Sequence, residues 1–246
     1  MKIIADTHCH TVASSHAYST IMENIKEAVK QNLYAIAITD HGRNMPSPPG
    51  TWYFENLNVI PKNIRGVNIL KGIEANILNS NGEIDVPFVD KKGFKFDWII
   101  ASIHDVAFSG KTDIDSCTET WMNIAKNPIV NVVGHSGLSS FEYDYEKVIP
   151  EFGRNGKLVE INNSSFNVRP GSTQNCKKIA MLCKKYNVNI IVNSDAHFCT
   201  QVGKFDKAIK LLEEIDFPEE LVINADINRF KSYLGKYTCF FKNICD

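Results

Sequence analysis

The residues best equipped for chemistry open the chain. Asp6-Thr7-His8-Cys9-His10 follows the apolar run Ile3-Ile4-Ala5, and His16 comes six residues later. Read as a strand over residues 1–10, the side chains alternate, so His8 and His10 share one face and Cys9 takes the other. Two imidazoles about 6–7 Å apart on one strand face can grip a metal ion from two sides. A single histidine is most often a packed or surface residue; two at i, i+2 behind an aspartate at a strand end tilt the reading toward ligation.

The other histidines repeat the placement. The apolar run 34–39 ends in Asp40-His41-Gly42, the run 97–103 ends at His104, 129–133 at Gly134-His135, and 188–193 at Ser194-Asp195-Ala196-His197. Of the seven histidines, six close a strand and His16 lies on the loop just after one. Histidines scattered for packing would fall partly on helices, which take about a third of a typical chain. Asp195 and His197 reproduce the i, i+2 spacing of His8 and His10. Glu74 is a charge within the apolar strand 67–77, costly unless it is paired or bound to a cation; the plainer alternative is an ion pair inside the sheet. Nine N and O donors, at three or four per catalytic metal plus an open position, suit two or three ions. Such donors favour Zn²⁺, with Mn²⁺ or Fe as alternatives. Cys9 faces away and is left out, whereas Asp6 and Asp40 are expected to accept from imidazole N–H groups.

Elements that must position these residues alternate along the chain. A capping box at Thr20-Ile21-Met22-Glu23 starts a helix with Ile21, Ile25, Ala28 and Val29 on one stripe, ending near Gln31-Asn32. Further helices are expected over 116–126, 145–154 (kinked or split at Pro150), 173–186, 205–215 and 227–234, with strand 157–162 between two of them. Strands alternating with helices imply a parallel sheet, whose active site forms at the carboxyl ends of the strands. Two stretches break the rhythm. Residues 43–62 hold Pro46, Pro48, Pro49, Gly50 and the aromatics Trp52-Tyr53-Phe54, a long rigid loop expected to cover the site. After Asn81-Gly82, residues 83–86 are expected to form a short return strand.

Bulk composition narrows the class. The chain has 246 residues, 43% hydrophobic and 22% charged, which fits one α/β barrel and a single domain over 1–246. Its net charge of −1 lacks the basic excess of a nucleic-acid binder. The longest apolar runs are strand-length, short of a membrane span, and Asp6 interrupts the first too early for a secretory segment. Seven cysteines without a CxxC pair read as free thiols in a reducing cytoplasm. Oligomeric state is not legible.

Taken together, Asp6-Thr7-His8-Cys9-His10, Ile38-Thr39-Asp40-His41-Gly42, Gly72-Ile73-Glu74-Ala75-Asn76 and Ser194-Asp195-Ala196-His197 resemble the PHP (polymerase and histidinol phosphatase) superfamily. Residues 11–19 and the segment Glu160-Ile161-Asn162-Asn163-Ser164-Ser165-Phe166 resemble its YcdX-type phosphatase branch. The resemblance implies a distorted seven-stranded (β/α)7 TIM-like barrel with a trinuclear metal site at the C-terminal rim. It implies one metal on His8, His10, Glu74 and Asp195, with Glu74 bridging to a second held by His104 and His135. His16, His41 and His197 would hold the third. The chemistry to expect is hydrolysis of a small phosphorylated substrate by a hydroxide between two metals about 3.5–4 Å apart, with Arg43 and Arg169 as phosphate clamps. The rival readings are an exonuclease or phosphodiesterase of the same superfamily and a non-catalytic metal-binding module.

Overall fold

The computed structural model describes residues 1–87, 95–169 and 171–241. Strands β1 (Ala5–Cys9), β2 (Ala35–Ile38), β3 (Asn63–Ile64), β4 (Val67–Asn76), β5 (Trp98–Ser102), β6 (Val132–Val133), β7 (Leu158–Asn162) and β8 (Ile190–Asn193) form one sheet. All but β3 lie side by side in parallel and in chain order, while β3 folds back antiparallel on β4. The sheet curls until its edges meet: Cys9 bridges Ala196, and His10 N donates to Ala196 O at 2.8 Å. Beneath that contact the seam is sewn by a side chain, Asn193 Oδ1 accepting from Thr7 N at 2.9 Å and Thr7 Oγ1 at 2.8 Å. The fold is a nearly closed barrel of seven parallel strands, as the alternation of elements implies.

Helices α1 (Ile21–Lys30), α2 (Thr51–Glu55), α3 (Ile114–Lys126), α4 (Tyr145–Arg154), α5 (Ser165–Val168) and α6 (Ser172–Tyr186) occupy the connections, and α7 (Asp206–Glu214) and α8 (Ile227–Tyr237) follow the last strand. The expected capping box starts α1: Glu23 N donates to Thr20 Oγ1 and Thr20 N to Glu23 Oε2, satisfying two donors that the first turn leaves open. Among the described residues no helix is long and apolar enough to cross a membrane.

Inside the barrel, Ala5, Ala35, Leu70, Trp98, Val132, Leu158 and Ile191, one from each parallel strand, pack with Phe230, Tyr233 and Leu234 of α8. Further along the same strand faces the side chains turn polar: beyond Leu70 come Glu74 and Asn76, four and six residues on, and beyond Ile191 come Asn193 and Asp195, two and four residues on. An apolar plug thus closes the N-terminal end and forces every inward-facing polar group toward the other.

Three boundaries differ from the sequence expectation. Helix α4 runs unbroken across Pro150, because Tyr145, Val148, Ile149 and Phe152 bury one continuous face on both sides of it. Strand β6 shrinks to two residues; the carbonyl of Val130, just before it, accepts from Lys157 Nζ instead. The return strand is a single bridge, Ile77 to Ile84, with Leu78 N donating to Glu83 O.

Candidate metal centre

At the C-terminal mouth the nine proposed ligands form one connected cluster. Glu74, deeply buried on β4, stands at its middle. Its Oε1 lies 3.3 Å from His8 Nε2, 3.5 Å from His104 Nε2 and 2.9 Å from His135 Nε2. Its Oε2 lies 3.4 Å from His10 Nε2 and 2.9 Å from His41 Nδ1. Asp195 Oδ1 sits 3.5 Å from His8 Nε2 and 3.3 Å from His10 Nε2. On the outer side, His16 Nε2 is 3.2 Å from His41 Nε2 and 3.1 Å from His197 Nε2.

These spacings test whether cations fit. Donor atoms on a tetrahedral ion at 2.0–2.2 Å stand about 3.3–3.6 Å apart, close to most of the separations in the cluster. Furthermore, His8 Nε2, His10 Nε2, His41 Nδ1 and Glu74 Oε2 are buried without a hydrogen-bond partner. Buried polar atoms are normally satisfied, so unpaired atoms converging on one place fit a missing cation. Three groups of three converge within reach of one ion: His8, His10 and Glu74; His10, His41 and His197; and His41, Glu74 and His104. His10, His41 and Glu74 each appear twice, so neighbouring sites share walls more closely than the three separate sets named above.

Four of the imidazoles are oriented by the atom behind them. His8 Nδ1 meets Glu160 Oε1 at 2.7 Å, and a carboxylate can only accept. His104 Nδ1 meets Asn76 Oδ1 at 2.7 Å, whose amide nitrogen donates to Asp85 Oδ2. Ser14 Oγ gives its proton to Asp40 Oδ1, so it accepts from His10 Nδ1 at 3.3 Å. His197 Nδ1 faces the carbonyl of Asp195 at 3.1 Å. In all four the proton is held on Nδ1 and the Nε2 lone pair is left to face inward.

Electrostatics agree. Burial, and then the neighbouring rings of His41 and His197, hold His10 well below its ordinary value. Burial does the same for His16, and takes His104 down to about 3, so these rings stay neutral. For Glu74, burial opposes ionisation, but the positive charge favoured on His8 and the hydrogen bond from His135 outweigh it and keep the carboxylate charged. Asp195 is likewise held down against burial by His8 and Arg169. His8 is the exception: burial is outweighed by Glu160, Glu74 and Asp195, which favour a positive charge there, so its Nε2 becomes a ligand only on giving up a proton to the entering cation. Backbone strain marks the same place, since His135 and Asp195 have φ of 22° and 58°. Such conformations persist where the surroundings impose them, often at functional sites.

Of the two arginines, Arg169 joins the centre, its Nη2 2.9 Å from Asp195 Oδ2. Arg43 does not; it is exposed beside Asn44 and Asp85. The expectation that Asp6 and Asp40 accept from imidazoles is corrected. Asp6 accepts instead from Ser194 N and Gly203 N. A register shift between Asp6 and Cys9 breaks the alternation, turning Thr7 and His8 both inward and Asp6 outward. Asp40 reaches His10 only through Ser14. Cys9 is fully buried in the apolar core, away from the cluster, and Cys245 lies outside the described residues. The acceptor that sequence reasoning missed is Glu160, which also accepts from His135 N at 2.8 Å. Its signal, a charge inside the apolar strand Leu158–Asn162, is the one that singles out Glu74.

A parallel barrel whose mouth gathers seven imidazoles and two carboxylates defines a class of metal-binding barrel proteins, and comparison makes the class specific. A model of the PHP domain matches residues 6–164. The chain is 48% identical over 235 residues to a protein named "Probable phosphatase" from Caldanaerobacter subterraneus subsp. tengcongensis, covering 95% of this chain and 92% of that one. It is 45% identical over 234 residues to a "Probable phosphatase" of Clostridium botulinum, covering 95% of each. The crystal structure of histidinol phosphate phosphatase from Lactococcus lactis, complexed with zinc, L-histidinol and phosphate, aligns with a TM-score of 0.62 over 89% of this chain and 95% of that one. At 17% identity that is a likeness of fold. The chain belongs to the PHP-domain family.

Proposed function

We propose that the chain is a metal-dependent phosphatase acting on a small phosphomonoester, with residues 1–246 as one catalytic domain. His8, His10, His16, His41, Glu74, His104, His135, Asp195 and His197 hold three divalent cations, Zn²⁺ foremost among them. The observation that carries this is Glu74, whose two oxygens face different sets of imidazole nitrogens, as a bridging carboxylate does. The relatives' name and the zinc and phosphate of the Lactococcus lactis structure support the same reading.

When bound, the ions supply Lewis acidity, lowering the pKa of water and neutralising phosphoryl oxygens. The chain's own residues do the rest. Glu160, Asn76 and Ser14 hold the protons of His8, His104 and His10 on Nδ1, so no ring must change tautomer to ligate. Arg169 gives Nη2 to Asp195 and Nη1 to Asn162 Oδ1 and Ser165 Oγ, which fixes the guanidinium beside the ligands; still partly exposed, it keeps donor capacity for a phosphate oxygen. Arg43 adds positive potential from the rim without direct contact.

The test is turnover of p-nitrophenyl phosphate and single-stranded DNA by purified protein, before and after chelation. Hydrolysis of the monoester that chelation abolishes and Zn²⁺ or Mn²⁺ restores is expected. Cleavage of DNA alone points to the exonuclease alternative, and bound metal without turnover of either to a non-catalytic module.

A further inference from the structure

The loop 43–62 contains an aromatic residue that the metal reading does not use. Phe54 and Leu57 are buried in the core and anchor this segment by packing. Tyr53 is only half-buried, and its hydroxyl donates to Asp40 Oδ2. Asp40 is fully buried and accepts three more hydrogen bonds: from Thr11 N and Ser14 Oγ at 2.7 Å each on Oδ1, and from Thr11 Oγ1 at 2.8 Å on Oδ2. A carboxylate offers about four lone-pair sites, so Tyr53 completes the set.

What Asp40 holds is the turn between His10 and His16, and it directly precedes His41. Ser14 Oγ, with its proton committed to Asp40, accepts from His10 Nδ1 at 3.3 Å and from His41 N at 3.1 Å. A chain of hydrogen bonds therefore runs from the loop through one carboxylate and one hydroxyl to two imidazole-bearing residues. We propose that Tyr53 is a positioning residue for the side of the centre built by His10, His16 and His41, locking Asp40 so that Ser14 fixes the ring and backbone there. This rests on the metal-centre reading above. The phenol touches no ligand; it acts through Asp40.

The test compares wild type with Tyr53→Phe, Ser14→Ala, the double variant, and Trp52→Ala as a control whose side chain is 78% exposed on the same helix. Ion release to a chelator, kcat and KM for p-nitrophenyl phosphate, and melting of the ion-free protein are measured. Removing groups that orient ligands costs 10–100-fold in metal affinity or activity, and one relay further out the effect falls at the lower end. Tyr53→Phe is expected to release ions about tenfold faster and lose kcat by about tenfold, with KM unchanged and the ion-free protein still cooperatively folded, if somewhat less stable. The double variant should be no worse than Ser14→Ala, since the effect passes through Ser14, and Trp52→Ala should match wild type. Wild-type ion release by Tyr53→Phe overturns the proposal, as does additivity with Ser14→Ala. If wild-type protein holds no ions, the metal reading itself fails first, which keeps the two failures distinguishable.

Discussion

At the N-terminal end of the barrel, Leu70, Leu158 and Ile191 meet α8; four residues along the same strand faces stand Glu74, Asn162 and Asp195. About 13 Å of strand separates a dry aliphatic plug from a pocket of imidazoles and carboxylates. Apart from the buried indole N–H of Trp98, which has no hydrogen-bond partner, and the Tyr233 hydroxyl, which donates to backbone carbonyls, the plug is held by contact, with Trp98 against Phe230 and Tyr233 at ring distances of 6.3 and 5.9 Å. The mouth is not: several of its buried polar atoms lack partners, and two of its residues sit at positive φ. One end of the barrel therefore provides the stability that the other uses to hold unpaired donors in place.

The largest expected effect breaks the mouth alone. Glu74→Ala should lower turnover on the order of 10³-fold and reduce bound metal, while far-UV circular dichroism stays that of the folded barrel. Retained turnover would remove Glu74 from the mechanism. The converse change breaks the plug: Trp98→Ala should cost about 3–5 kcal/mol in denaturant unfolding, yet leave metal content per folded chain unchanged. If it also empties the metal sites, the two ends are not separable. Smaller effects follow behind the ligands. Glu160→Gln keeps the shape but loses the charge that orders His8, and should weaken metal binding about 10–100-fold in a competition assay.

Gly42→Ala probes a close approach. A Cβ there would lie 2.1 Å from Asp85 Oδ1, and Asp85 holds Asn76, which orients His104. About a tenfold loss of metal affinity is expected, and a wild-type value would detach Asp85 from the centre. Smallest is a pH effect at the plug end, where Lys157 Nζ donates to the carbonyls of Asn127 and Val130. Burial pushes Lys157 down from 10.5 to about 8. Between those values the unfolded chain binds more protons than the folded one, so this group makes stability rise with pH. Lys157→Met should flatten that slope in melting experiments between pH 8 and 10; an unchanged slope assigns it to other groups.

Much of the mouth was legible because strand ends and histidines coincide in sequence, and parallel strands deliver their ends to one rim. His8, His41 and His104 needed only that rule, while Glu74 was marked by its charge inside an apolar strand and Asp195 by its i, i+2 spacing from His197. Asp6 was misplaced because a register shift inside β1 leaves no mark in the order of residues. Glu160 was overlooked as an acceptor although its charge in an apolar strand was visible. Asp85 could not be found, since it reaches Asn76 from a return segment held by one bridge. Strand β6 was overextended because apolar runs do not show where a side chain such as Lys157 will take over a carbonyl.

The central claim is that Glu74 stands between cations. Anomalous diffraction from crystals of the purified, metal-loaded protein tests it most directly. Three peaks are expected around Glu74, with a different ion on each of its oxygens and His16, His41 and His197 around the outermost. A single peak, or peaks that leave Glu74 hydrogen-bonded to imidazoles alone, would contradict it.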